Sequence, residues 1–141
     1  MGIQKDKLSE DQKKEIERLR SFVSRNRLNA QMNGTKWRAA IDAIQAISGY
    51  RASFRVKRLT EAGDPPANGW DENFPGNIPL YNAIEWLELK PWVETPSASG
   101  QKSRRINFAE QIKRELEALR IPLVESSSGI RILGYTRSEK K

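Results

Sequence analysis

The chain has 141 residues, carries 25 basic against 18 acidic side chains, and contains neither cysteine nor histidine. Without Cys there is no disulfide framework, thiolate nucleophile or thiolate zinc site, and without His no Ser-His-Asp triad, imidazole ligand or side chain that titrates near neutrality unperturbed. Only carboxylate, Lys, Arg, Tyr, Ser and Thr chemistry is left. The length suits one domain with a single core. No apolar run exceeds about four residues, against the roughly 18 needed to span a bilayer, and no apolar segment follows Met1, so a cytoplasmic location without membrane contact is expected.

The net charge of +7 is unevenly distributed. Residues 1–30 are basic by three, 31–60 by five and 101–141 by five, whereas residues 61–100 are acidic by six. An acidic middle segment can serve as the internal electrostatic partner of the chain's own basic elements, or it can form a second surface of opposite sign.

Ser9 to about Leu28 reads as a helix. Ser9 and Gln12 have capping-box spacing, Glu10–Lys14 and Lys13–Glu17 are attractive i,i+4 pairs, and Ile16, Leu19, Phe22 and Val23 form a narrow apolar stripe. So thin a stripe on so charged a segment predicts a helix that packs along one edge or extends outward, and residues 1–28 are read as an N-terminal extension. A compact domain over 29–137 and a short tail over 138–141 would follow it. Asn29 to Gly34 reads as a break. Thr35 is expected to cap a second helix with Trp37, Ala40, Ile41, Ile44 and Ile47 on one face, and Ser48-Gly49 to stop it. From Tyr50 to Leu59 the period changes to two, with Ala52, Phe54 and Val56 on one side and Arg51, Ser53, Arg55 and Lys57 on the other.

Glu61 to Pro79 is rich in Gly, Pro, Asp and Asn, with a short strand possible over Gly69–Phe74. Ala83 to Lys90 is apolar on both faces and reads as a central strand. A small-residue loop over Thr95–Ser103 leads to Arg104-Arg105. Asn107 is placed to cap a third helix, with Glu110 at its N3 position and Phe108, Ile112, Leu116 and Leu119 along one side. Leu123–Glu125 and Ile130–Thr136 form a hairpin through Ser126–Gly129. The order predicts an α+β fold, a mostly antiparallel sheet of four to five strands with two or three helices on one face.

Three groups of residues could carry a function. Arg51, Arg55 and Lys57 are spaced two apart along a strand, roughly 7 Å from one to the next, which suits successive phosphates; with Arg104 and Arg105 they could contact nucleic acid or an acidic protein. A solvated strand face gives the same pattern. Asp71, Glu88 and Lys90 loosely resemble the D…(E/D)-x-K arrangement of restriction-endonuclease-like nucleases, in which carboxylates hold Mg²⁺ and an amine polarises water. E-x-K is a weak pattern, however, and Pro91 follows it at once. The third group is aromatic and acidic. Trp70 and Trp92, among Gly and Pro, are the Trp residues expected to be exposed and available to a protein partner, whereas Trp86 is expected in the core.

At Asn33-Gly34-Thr35-Lys36-Trp37-Arg38, Ile84-Glu85-Trp86-Leu87-Glu88 and Ile130-Arg131-Ile132-Leu133-Gly134-Tyr135 the chain resembles a family of small, uncharacterised bacterial proteins. The likeness covers roughly Leu28 to Arg137 and implies a compact bacterial domain without assigning a chemistry. Sequence alone thus favours a non-enzymatic module that binds a protein partner and needs no metal or cofactor. Nucleic-acid binding through the basic strand is the alternative, and a Mg²⁺-dependent nuclease is the less favoured third.

Overall fold

In the computed structural model, residues 8–95 and 104–137 are described. Residues 1–7 of the expected extension, the expected loop from residue 96 to 103 and the tail from residue 138 lie outside them. The elements run α1 (Glu10–Arg25), β1 (Leu28–Ala30), α2 (Gly34–Gln45), β2 (Ser53–Arg58), a 3₁₀ turn (Tyr81–Ala83), β3 (Ile84–Lys90), β4 (Trp92–Thr95), β5 (Arg104–Asn107), α3 (Ala109–Ala118), β6 (Leu123–Glu125), β7 (Ile130–Leu133) and β8 (Tyr135–Arg137). The fold is α+β, and every described strand pairing is antiparallel.

A four-stranded sheet in the order β2-β3-β7-β6 forms the centre. Its register fixes the two faces. Phe54 lies opposite Leu89, Val56 opposite Leu87 and Leu87 opposite Ile132, so one face is apolar. That face is covered by α2, through Trp37, Ala40, Ile41 and Ile44, and by α3, through Ile112 and Leu116. Burying these side chains against the sheet is the principal source of stability. On the other face Arg55 lies opposite Glu88, and Glu88 opposite Arg131.

Helix α1 starts as its sequence predicts: the Ser9 side chain accepts from Gln12 N and the Gln12 side chain accepts from Ser9 N. It is more than an appended helix. Leu19 is buried with Leu59 and Ala83 in a second hydrophobic cluster, flanked by Phe22, Val23, Leu28, Leu80 and Tyr135. The helix ends at Arg25, short of Leu28, because Arg27 takes a left-handed conformation and Leu28–Ala30 then pairs with Tyr135–Arg137. Two other helix starts also differ from expectation. Asn33, not Thr35, caps α2, its side chain accepting from Lys36 N. In α3, Asn107 lies one residue before the cap position, where it accepts from Ala109 N.

The hairpin between β6 and β7 forms as predicted, and Gly134 separates β7 from β8. A Cβ on Gly134 would lie 2.1 Å from the carbonyl oxygen of Ile84, and one on Gly129 would lie 2.3 Å from that of Leu89. Both glycines let this chain lie directly on β3. The strand expected over Gly69–Phe74 is reduced to one bridge, Asp71 to Phe54.

Candidate functional site

The acidic middle segment turns inward. Arg55 is 7 % exposed and Glu88 fully buried. Arg55 Nε donates to Glu88 Oε1 at 2.6 Å, Nη1 donates to the carbonyls of Pro65 and Pro66, and Nη2 donates to Ser128 Oγ. The hydroxyls of Ser126 and Ser128 donate to Glu88 Oε2, and Arg131 Nε lies 3.5 Å from the same oxygen. The Trp86 ring lies beneath both guanidinium groups, 3.9 Å from that of Arg131 and 5.9 Å from that of Arg55, and Trp70 lies 5.2 Å from Arg55. Burial by itself pushes the Glu88 carboxyl up, but the hydrogen bonds from Ser126, Arg55 and Ser128 and the charge of Arg55 outweigh it and hold the group below the ordinary carboxylate range.

Lys57 is likewise enclosed. Its ammonium donates to the carbonyls of Arg58 and Glu61 and to Glu85 Oε1, which fills its three donors. Glu85 reaches it because the register shifts between Lys57 and Arg58: Lys57 lies opposite Trp86, Arg58 opposite Ile84, and Glu85 is the extra residue of a bulge. Of the basic strand stripe, only Arg51 is exposed. Arg55 and Lys57 are internal ion-pair residues, because the loop after β2 covers the face that alternation alone presents as solvated.

The proposed metal-binding residues do not converge. Asp71 lies opposite Phe54 and Glu88 opposite Arg55, so the two carboxylates leave β2 and its neighbours on opposite faces. The Asp71 carboxylate accepts from Asn73 N and from the Asn77 side chain, a local turn arrangement. Among the described residues no group of three or more His, Cys, Asp or Glu side chains could hold a metal ion.

A third group of residues does come together, around Trp92. The ladder between β2 and β3 ends at Ser53 opposite Lys90. The Lys90 carbonyl, on the β2 side, accepts from the Tyr50 hydroxyl at 2.6 Å. Burial pushes that hydroxyl above its ordinary value. The next carbonyl, of Pro91, points the other way and accepts from Phe108 N at 2.7 Å. The strand therefore changes partners at Pro91, from β2 to β5, and the start of β2 and β4 part. Between them lies a cleft of about 390 Å³ lined by Arg51, Ser53, Glu72, Lys90, Trp92 and Glu94.

The Trp92 ring is half-buried and flanked by cations, with the Arg105 guanidinium at 4.5 Å and the Lys90 ammonium at 5.7 Å. Arg105 also pairs with Glu94 at 3.3 Å. Arg104 is exposed and one residue before Arg105, so the alternation of β5 turns it to the other face of the β4–β5 ribbon. Trp70, in contrast, is half-buried over Arg55 and forms part of the cover on the charged network. A smaller cleft of about 240 Å³ lies between α1 and the start of α2, lined by Ile16, Trp37, Tyr81 and Tyr135 among others; it gathers no charged side chain.

Residues 19–139 match a family of unknown function, DUF6678, and the chain belongs to it. The matched region begins at Leu19, the buried residue of α1, and so includes the second half of that helix. No curated protein and no solved structure matches the chain. Among the described residues, no helix is long and apolar enough to cross a membrane.

Proposed function

We propose that this member of the family is a non-enzymatic binding module that captures a protein partner at the cleft beside Trp92. The carrying observation is the position of Trp92: an aromatic side chain in the wall of an open polar cleft, with Arg51, Lys90 and Arg105 around it. Tryptophan and arginine are the side chains that most often anchor protein interfaces. The charge of the cleft is mixed, since Glu72 and Glu94 share it. A nucleic-acid backbone calls for a continuous positive track, and here Arg55 and Lys57 are paired internally while Arg104 and Arg105 face opposite ways.

The test is a photo-crosslinking residue in place of Glu94 in the full chain, expressed in cells. A specific protein adduct should form, and Trp92→Ala or Arg51→Glu added to the same chain should remove it. Trp92→Ala should cost about 2 kcal/mol or more of partner affinity, the scale of an interface hot spot. Adducts that contain nucleic acid, together with oligonucleotide binding that falls steeply with salt and disappears in Arg51→Glu, would replace this reading with the nucleic-acid one.

A further inference from the structure

The backbone of β4 carries, on the side of the cleft, hydrogen-bonding groups that no described residue fills. In an antiparallel pair, successive residues turn their N–H and C=O alternately toward and away from the partner strand. Pro91 turns its carbonyl toward Phe108, so Val93 and Thr95 face β5 and Trp92 and Glu94 face away, toward Arg51 and Ser53. No backbone partner outside the β4–β5 pair takes these groups of Trp92 or Glu94 among the described residues. Had β2 continued along β3 and β4, Arg51 would have lain opposite Trp92 and taken them; the ladder stops two residues short.

A free strand edge bordered by an aromatic side chain and by cations is a template for an extended chain. We infer that the partner enters this cleft as an extended acidic segment, adding a strand to the β4 edge through the backbone of Trp92 and Glu94 while its carboxylates meet Arg51 and Lys90. Charge favours an acidic occupant. Arg51 has no ion-pair partner among the described residues, Lys90 has none beyond the face of Trp92, and Glu94 is already paired with Arg105, so two unpaired cations stand against one unpaired carboxylate, Glu72. The apolar part of the same segment rests on the Trp92 ring. The inference depends on the Trp92 cleft being the contact site and adds to it a geometry and a chemistry for the ligand.

The experiment selects short random peptides on the immobilised full chain and then measures the enriched peptides in solution. Enriched sequences should alternate acidic and apolar residues. Arg51→Glu should weaken them about tenfold, the scale of one lost charged contact, while Arg20→Glu on the exposed side of α1 leaves binding unchanged. N-methylation of the peptide backbone should abolish binding at alternate positions only. On binding, the amides of Trp92 and Glu94 should gain protection from hydrogen exchange, whereas those of Val93 and Thr95, already paired with β5, should not change. Peptides that bind through Trp92 but tolerate N-methylation everywhere would refute strand addition and leave the contact site standing. Peptides indifferent to both Trp92→Ala and Arg51→Glu, or no enrichment at all, would refute both.

Discussion

Removing the carboxylate of Glu88 tests whether the charged face of the sheet is held by one buried group. Glu88 has no exposed surface and joins Arg55, Ser126, Ser128 and Arg131. In Glu88→Ala, Arg55 loses the partner of its Nε while only 7 % exposed and held by the Pro65 and Pro66 carbonyls. Breaking a buried ion pair from one side costs about 3–5 kcal/mol, because a charge is left without compensation. The Arg131 side chain is 26 % exposed, but its Nε is buried with only the Glu88 carboxylate to compensate it, so losing that carboxylate adds to the cost. The double change Glu88→Leu with Arg55→Met should still cost less than Glu88→Ala alone, since the buried Arg55 charge is removed together with its partner and only Arg131 loses a counter-charge. Urea denaturation of the full chain, followed by Trp fluorescence, measures all three proteins. The wild type also carries a pH signature. A carboxyl depressed in the folded state contributes stability that is complete above its unfolded value, near 4.3, and is lost as pH falls through the lower folded value. Wild-type stability should thus decline below about pH 4, and this component should be missing from Glu88→Gln. A Glu88→Ala cost under about 1 kcal/mol, the range of an exposed pair, would show that the network is solvated and the reasoning mistaken.

Three further changes test the packing by the same denaturation assay. Ile44→Ala, at the 1 % exposed centre of the α2 face, should cost about 2–5 kcal/mol, and an unchanged midpoint would place α2 outside the core. Leu19→Ala should cost about 2 kcal/mol, at the low end for a leucine because its half-buried neighbours can collapse into the space; no change would restore α1 to an appended helix. Gly134→Ala should cost about 1–3 kcal/mol by driving a methyl group into the backbone of β3, and a neutral result would mean that β7 and β8 can lift away from Ile84.

Much of this architecture can be read from local pattern. The α2 stripe, the Ser9–Gln12 box, the period-two stretch after Tyr50 and the turn at Ser126–Gly129 each require only neighbouring residues to agree, and all four are present, although the strand itself begins only at Ser53. The pairing of Leu28–Ala30 with Tyr135–Arg137 is different. Three-residue strands have no detectable period, and these lie at opposite ends of the chain, so only tertiary packing brings them together. The helix caps were ambiguous for a smaller reason. Asn33 and Thr35 are both good capping residues, and the choice falls to the one whose side chain meets a free N–H three residues on.

The candidate site was legible residue by residue but not in its grouping. Alternation along β2 separates Arg55 and Lys57 from Phe54 and Val56 without telling whether water or the 61–79 loop covers the polar side. The charge imbalance was the usable signal. Two acidic residues of β3, Glu85 and Glu88, neutralise two of the basic residues on β2, as an antiparallel pair of opposite charge would require. What then remains is Lys90-Pro91-Trp92. In sequence these residues carry different signals: Lys90 fits a nuclease pattern, Pro91 breaks that pattern, and Trp92 suits a protein partner. In the fold Pro91 is where the strand leaves β2 for β5. That departure opens the cleft, sets Lys90 and Trp92 on its rim, and leaves Arg51 on the far wall without the strand it would otherwise have paired with.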